Sequence, residues 1–324
     1  MTDSEPENLQ QDAPLEKPKR RFFIDTDPGT DDAVALVMAL RSPEIEVVGI
    51  SVVAGNVGLE QTVQNALYTV EICGGGVPVY VGAKRPMNRD LQTADLVHGR
   101  DGLGDIGLPL QGRTPAAESA VDALIAAAKQ YAGELTLVTL GPLTNIAQAI
   151  QRDPSFATNI ARCVIMGGAP DGVGNTTATA EFNVYVDPEA AHVVLHSGMP
   201  AEWVGWDVTL RHAMLTPEEN DSIRAEGTPQ AEFVADIQKP VLVLWEKLFG
   251  YAMVCLPDPL AMAVALAPDI AEHLPVHMDI EVIGSLTAGM TVVDRRPRPS
   301  DHNALIVTRV HRDRFIQMLH DAVT

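Results

Sequence analysis

RFFIDTDPGTDDAVALVMALRSPEIEVVGISVVA, residues 21–54, decides the fold class. An apolar run, FFI at 22–24, leads through acidic and turn-forming residues into AVALVMAL at 33–40, which has helical period. A second apolar run, EVVGISVVA at 46–54, is followed by a helix-like stretch from Leu59 to Ile72. Strand, helix, strand, helix is the order this predicts. The rhythm continues outward with VPVYVG at 77–82, an Ala-rich helix at 119–131, LTLVTL at 135–140, a helix from Leu143 and RCVIMGG at 162–168. Alternation of this kind predicts an α/β fold, an open and mainly parallel central sheet with helices on both faces.

The second half is less regular. A helix is expected from Asp187-Pro188 through AAHVVL, then a short strand in AEWVGW, then a helix starting at Thr216-Pro217-Glu218-Glu219 with proline in its first turn. Pro240 should kink or split the helical pattern at 229–249. MDIEVIG at 278–284 and ALIVT at 304–308 read as late strands, and 312–321 as a closing helix. Residues 1–20, rich in Pro, Glu and Gln, are expected to be a disordered tail. No repeat and no Pro/Gly linker divides 21–324, which is expected to form one domain.

Composition removes several classes of function. With 23 Lys+Arg against 43 Asp+Glu and a net charge of -20, the chain is a poor partner for nucleic-acid phosphates. Its three cysteines, Cys73, Cys163 and Cys255, are far apart and form no CxxC pair, which argues against a disulfide framework or a thiolate zinc site. No run of 18 or more apolar residues that could span a bilayer is present, and the first 20 residues lack the apolar segment of a secretory signal. A cytoplasmic protein without nucleic-acid or membrane partners is expected.

The chemical signal is Asp25-Thr26-Asp27-Pro28-Gly29-Thr30-Asp31-Asp32, where a buried strand ends and a helix begins. Ligands of open parallel sheets bind at the carboxyl ends of strands. Asp25 and Asp27 have strand spacing, and Asp31 and Asp32 open the helix. Helix capping would explain one or two of these aspartates but not four. Four carboxylates this close repel one another, and a hard divalent cation with oxygen ligands is the natural compensation; calcium or magnesium suits the set better than zinc. A rival is the DxD of a haloacid-dehalogenase-like phosphotransferase, with Asp25 as nucleophile and Asp27 as acid/base. It leaves Asp31 and Asp32 without a role and does not expect Pro28.

The DTDPGTDDA string resembles the N-terminal signature of the nucleoside hydrolases, the inosine-uridine-preferring N-ribosyl hydrolases. Further stretches match that family in order: VVAGN at 52–56, HGRDGL at 98–103, LGPLTNIA at 140–147, MGG at 166–168, GN at 174–175, AEFNVYVDPEAA at 180–191 and PDPLA at 257–261. The resemblance implies hydrolysis of the N-ribosidic bond of ribonucleosides to free base and ribose, in a homodimer or homotetramer. It implies a calcium ion (Ca2+) held by Asp27, Asp32, Asp258 and the backbone carbonyl of Leu140, with Asp27 as the general base for the attacking water. It also implies ribose contacts from Asp31, Asn56 and Asn183, Glu181 and Asn175 near the 5'-hydroxyl, and Met166 against the sugar. Glu181 and Asn183 have strand spacing, which would aim both into one cleft.

One position departs from the family. Many members carry a histidine just before the metal-binding aspartate of the second motif, where it serves the departing base; here Leu256-Pro257-Asp258 puts a proline there. Proline has no proton to give. His98, Tyr251 or a water chain could substitute, or the base could be activated by stacking on Trp245, Phe249 or Trp206, although an i, i+4 aromatic pair is more often core. Otherwise the leaving group needs no acid, as in a ribosyl pyridinium, or the chain is a ribose- or nucleoside-binding protein with impaired turnover. The polar, Gly-rich stretch 85–105 is a candidate lid.

Overall fold

A computed structural model describes residues 18–296 and 302–324. In chain order, β1 (Arg20–Thr26), α1 (Thr30–Arg41), β2 (Ile45–Val52), α2 (Leu59–Ile72) and β3 (Val79–Val81) form the first part. Then come α3 (Asp95–His98), α4 (Ala120–Gln130), β4 (Leu135–Thr139), α5 (Thr144–Arg152), α6 (Ser155–Asn159) and β5 (Ile160–Met166). The middle holds α7 (Phe182–Val186), α8 (Pro188–Leu195), β6 (Ala201–Val204), α9 (Trp206–His212), β7 (Met214–Leu215), α10 (Pro217–Arg224) and α11 (Pro229–Phe249). The chain closes with β8 (Val254–Cys255), α12 (Pro257–Leu266), β9 (Ala271–Val276), β10 (Met278–Ile280), β11 (Thr291–Val293), β12 (Ala304–Val310) and α13 (Arg312–Val323).

An eight-stranded sheet runs in the order β3-β2-β1-β4-β5-β6-β12-β9. Its pairings are parallel except at the edge, where β9 lies antiparallel to β12. This is the mainly parallel α/β sheet expected. Side chains alternate across it because a strand has a period of two. On β1, Phe22 and Ile24 pack with α1 and α12 on one face while Phe23 packs with α4 and α5 on the other; β5 divides Val164 and Met166 from Cys163 and Ile165 in the same way. Strands buried on both faces explain the near-continuous apolar runs in the sequence.

Three expectations need correction and one is narrowed. β1 begins at Arg20, inside the stretch expected as a tail; Met1 to Lys17 lie outside the described residues. Of the two outcomes expected at Pro240, a kink or a split, the split does not occur: α11 is continuous over 21 residues with Pro240 inside. The 278–284 stretch gives only the short β10, paired with β11 away from the main sheet. Finally, Glu181 and Asn183 do not lie on a strand: Glu181 is the N-cap of α7, its carboxylate accepting from the N–H groups of Asn183 and Val184. That cap replaces the strand geometry that their spacing predicts.

Candidate active site

The sheet order reverses between β1 and β4, where connections leave in opposite directions and open a crevice at the carboxyl ends of the strands. The residues following those ends meet there: the aspartate cluster after β1, Asn56 after β2, Leu140 after β4 and Met166 at the end of β5. Helices α1 and α12 pack together and aim their first turns at the same point, with Asp31 and Asp32 on one and Asp258 on the other. A helix N-terminus carries partial positive charge and favours carboxylates. Above them lies a cavity of about 520 Å³ lined by Asp31, Asn56, His98, Leu140, Met166, Asn175, Glu181, Asn183 and Asp258, and by Trp206, Trp245, Phe249 and Tyr251. Asp27 and Asp32 are fully buried beneath it.

Each carboxylate is oriented by donors. Asp27 Oδ2 accepts from the backbone N–H of Asn56 at 2.7 Å, and its Oδ1 has no hydrogen-bond partner. Asp32 accepts from Thr26 Oγ1 on one oxygen, and from Gly29 N and Asn56 Nδ2, both at 2.9 Å, on the other. Asp31 Oδ1 is buried and unpartnered. The carbonyl of Leu140 accepts from Asn183 Nδ2 at 2.7 Å, and Glu181 accepts from Gly168 N and Asn183 N, both at 2.8 Å. Oxygens of Asp31, Asp32 and Asp258 lie within 4.8 Å of one another. This tight trio includes Asp31 where Asp27 was expected, because Asn56 holds Asp27 on one side and its free oxygen lies toward Gly141.

Burial, and then repulsion from Asp32, push the Asp27 carboxyl well above the usual range. Asp258 is raised likewise, by burial and then by Asp31, Asp32 and Asp27. Burial lifts Asp31 to about 6 and Glu181 to about 7 against the N–H groups that bond them. Full ionisation of such a set is costly unless positive charge joins it. Two orphaned buried oxygens and an all-oxygen donor set suit a hard divalent cation.

Asp25 belongs to a different layer. The Ser51 hydroxyl and Asn145 Nδ2, the latter at 2.8 Å, hold its Oδ2, and it does not line the cavity. A nucleophilic Asp25 would have to reach a substrate it cannot touch, so the phosphotransferase arrangement finds no support.

On the leaving-group side, Pro257 lines the cavity at the first position of α12. His98 Nδ1 accepts from Thr30 N at 3.2 Å and faces Thr30 Oγ1 at 3.0 Å. A backbone N–H can only donate, so a neutral His98 carries its proton on Nε2. Burial lowers this imidazole to about 4, although the Asp32 charge pulls the other way. Asp31 Oδ1, 3.7 Å away, therefore faces a neutral ring. Trp245 and Phe249 are not core residues: their rings lie 4.6 Å apart at the cavity mouth, with Tyr251 6.1 Å from Phe249, and Phe249 and Tyr251 are more than half exposed. Thr30, Val173 and Leu210 also line the cavity and were not anticipated. Thr30 could have been suspected from its place inside the aspartate string; the others carry no local signal.

Residues 22–317 match the family model described as inosine-uridine preferring nucleoside hydrolase. The chain belongs to that family. Among relatives of this nucleoside hydrolase, the pyrimidine-specific ribonucleoside hydrolase RihA of Escherichia coli is 38% identical over 303 residues, covering 93% of this chain and 97% of its own. A plant nucleoside hydrolase superposes with a TM-score of 0.89 at 30% identity, over 95% of this chain and 99% of the plant enzyme. A purine-preferring ribonucleoside hydrolase from Gardnerella vaginalis superposes at 0.88 with 35% identity, over 94% and 98%. The protein is a nucleoside N-ribosyl hydrolase acting on small-molecule ribonucleosides. Among the described residues, no helix is long and apolar enough to cross a membrane.

Proposed function

We propose that this nucleoside hydrolase uses Asp27 as general base, with a calcium ion held by Asp27, Asp32, Asp258 and the Leu140 carbonyl, to release free base and ribose. Support comes above all from one observation: Asp27 is fixed through Oδ2 by Asn56, while its other oxygen is buried and unpartnered. A carboxylate held on one oxygen and free on the other is ready to take a proton. A bound hard divalent cation would supply charge compensation, coordination positions for a vicinal diol and a more acidic water. Asp31, Asn56 and Asn183 are the ribose contacts in this proposal, with Glu181 and Asn175 toward the 5'-hydroxyl and Met166 against the sugar.

Cleavage of an N-ribosidic bond develops positive charge on the sugar, as in glycoside hydrolysis. Carboxylates fixed around it stabilise that charge without reorganising. The departing base receives no proton from Pro257. Two features of the cavity can assist it. His98 offers an Nε2–H donor, and Trp206, Trp245, Phe249 and Tyr251 offer flat apolar faces. This wall favours a large flat base, purine over pyrimidine. A homo-oligomer in the cytoplasm belongs to the same proposal; the three unpaired cysteines agree with a reducing compartment.

Pro257 also motivates the second reading, a binder with impaired turnover. Ribose release from inosine, adenosine, guanosine, uridine, cytidine and nicotinamide riboside, with and without chelator and calcium add-back, separates the two. Calcium-restored turnover on any of them supports the hydrolase, and the order of rates tests the purine preference. Binding without ribose release would transfer the weight to the binder.

A further inference from the structure

Away from the active site, α8 and β10 bring together His192, His196 and Asp279. His192 lies in the last turn of α8 and His196, four residues on, is its C-cap, so the two project from the same side. Their rings are 4.4 Å apart. Asp279 Oδ1 lies 3.2 Å from His192 Nδ1 and 3.2 Å from His196 Nε2, and the three ligand atoms all fall within 4.8 Å of one another. We propose that these three side chains form a second metal site, for a divalent transition ion of the zinc class, unrelated to the carboxylate site that serves catalysis.

The spacing suits a tetrahedral ion. Zinc–nitrogen and zinc–oxygen bonds of roughly 2.0–2.2 Å meeting at the tetrahedral angle put ligand atoms about 3.4 Å apart. Both contacts with Asp279 are close to that edge. Imidazole nitrogen with one carboxylate is a donor set for zinc, nickel or copper, whereas calcium and magnesium select oxygen. His192 supplies an independent sign: its Nδ1 is closed off from solvent yet makes no hydrogen bond, although Asp279 is near. A buried ring nitrogen without a partner, next to two other ligand atoms, is what a bound cation would satisfy.

The scaffold fixes the ligands before any ion arrives. Helix α8 starts from Asp187, whose carboxylate caps Ala190 N and also accepts from Thr144 Oγ1 and Met87 N, and it buries Ala190, Ala191, Val194 and Leu195. On β10, Met278 and Ile280 are buried on either side of Asp279, so strand alternation turns Asp279 outward toward the helix. Pre-positioned ligands lose little freedom on binding. Each of the three side chains is about half exposed, which leaves the remaining coordination positions to water.

The test titrates the full chain, stripped with chelator and supplied with saturating calcium to occupy the carboxylate site, with zinc by calorimetry and with cobalt by visible absorption. One equivalent of zinc and the intense absorption of tetrahedral cobalt are expected, both lost in His192→Ala/His196→Ala and in Asp279→Asn, with ribose release unchanged. The single variant His196→Ala, at an exposed position, serves if the double variant folds poorly, and is expected to lose the cobalt signal. Zinc binding of the same stoichiometry and affinity in His196→Ala and Asp279→Asn would overturn the proposal. So would the absence of stoichiometric binding in the parent chain, which would leave the cluster as an ion pair.

Discussion

Gly55 lies against the carboxylate proposed as the base. A methyl group there would come within 2.0 Å of Asp27 Oδ2 and 2.9 Å of Pro142 Cδ, whereas ordinary contact begins at 3.4 Å. In Gly55→Ala the oxygen must therefore retreat by about 1.4 Å. The same oxygen accepts the Asn56 N–H at 2.7 Å, so the displacement also loosens the bond that orients it. Overpacking of this kind costs roughly 1–3 kcal/mol of stability. Misplacing a reacting group by about 1 Å costs on the order of 100-fold in rate, so kcat should fall by about that factor while the protein still folds. Gly58→Ala is the control, because nothing lies within 4 Å of a methyl group there. It occupies the N-cap of α2 and should lose a fraction of a kcal/mol, roughly, with turnover unchanged. Initial rates of ribose release together with thermal melts read both variants. Wild-type kcat in a folded Gly55→Ala would refute the idea that the fixed position of Asp27 limits the chemistry.

Pro257→His restores a proton donor at the first position of α12, and if leaving-group activation limits the rate, kcat for uridine or inosine should rise about tenfold or more. No gain would mean that His98 or the aromatic wall already supplies the activation. Glu202 tests the fold instead of the site. Burial would raise its carboxyl, but Arg162 at 2.6 Å and His273 at 3.0 Å more than reverse this and hold it at about 2. A carboxyl depressed in the folded state contributes stability above its unfolded pKa of about 4.5, and the contribution fades as pH falls toward 2. Glu202→Gln should cost about 2 kcal/mol near pH 7 and progressively less below pH 4.5 or so, as urea unfolding at several pH values would measure.

What could be read from the sequence depended on locality. Strands buried on both faces and helices of one apolar stripe repeat over short stretches, so the β-α-β-α order from Arg21 to Ile72 was visible, as was the helix start at Thr216, where Glu219 completes a reciprocal capping box. The antiparallel edge strand β9 was not: AEHLPV is polar and half exposed, and it is a strand because β12 offers it an unpaired edge. The motif at 25–32 pointed to the carboxylate cluster and to the strand ends that surround it. It could not tell that Asp25 is held below the site by Ser51 and Asn145, since those donors lie 26 and 120 residues away in the chain. Trp245, Phe249 and Tyr251 could be read only as candidates for the leaving-group side, for a related reason. Trp245 and Phe249 share the spacing of core residues, and only the position of the end of α11 over the crevice turns them toward the cavity.

The measurement closest to the centre of this account compares Asp27→Asn with the wild type for nucleoside binding and for ribose release, both at saturating calcium. Asparagine keeps the shape of the side chain and an acceptor for the Asn56 N–H but cannot take a proton. Nucleoside binding is expected to survive, while kcat falls by about 100-fold or more. Turnover at the wild-type rate in a folded Asp27→Asn would contradict the assignment of the base.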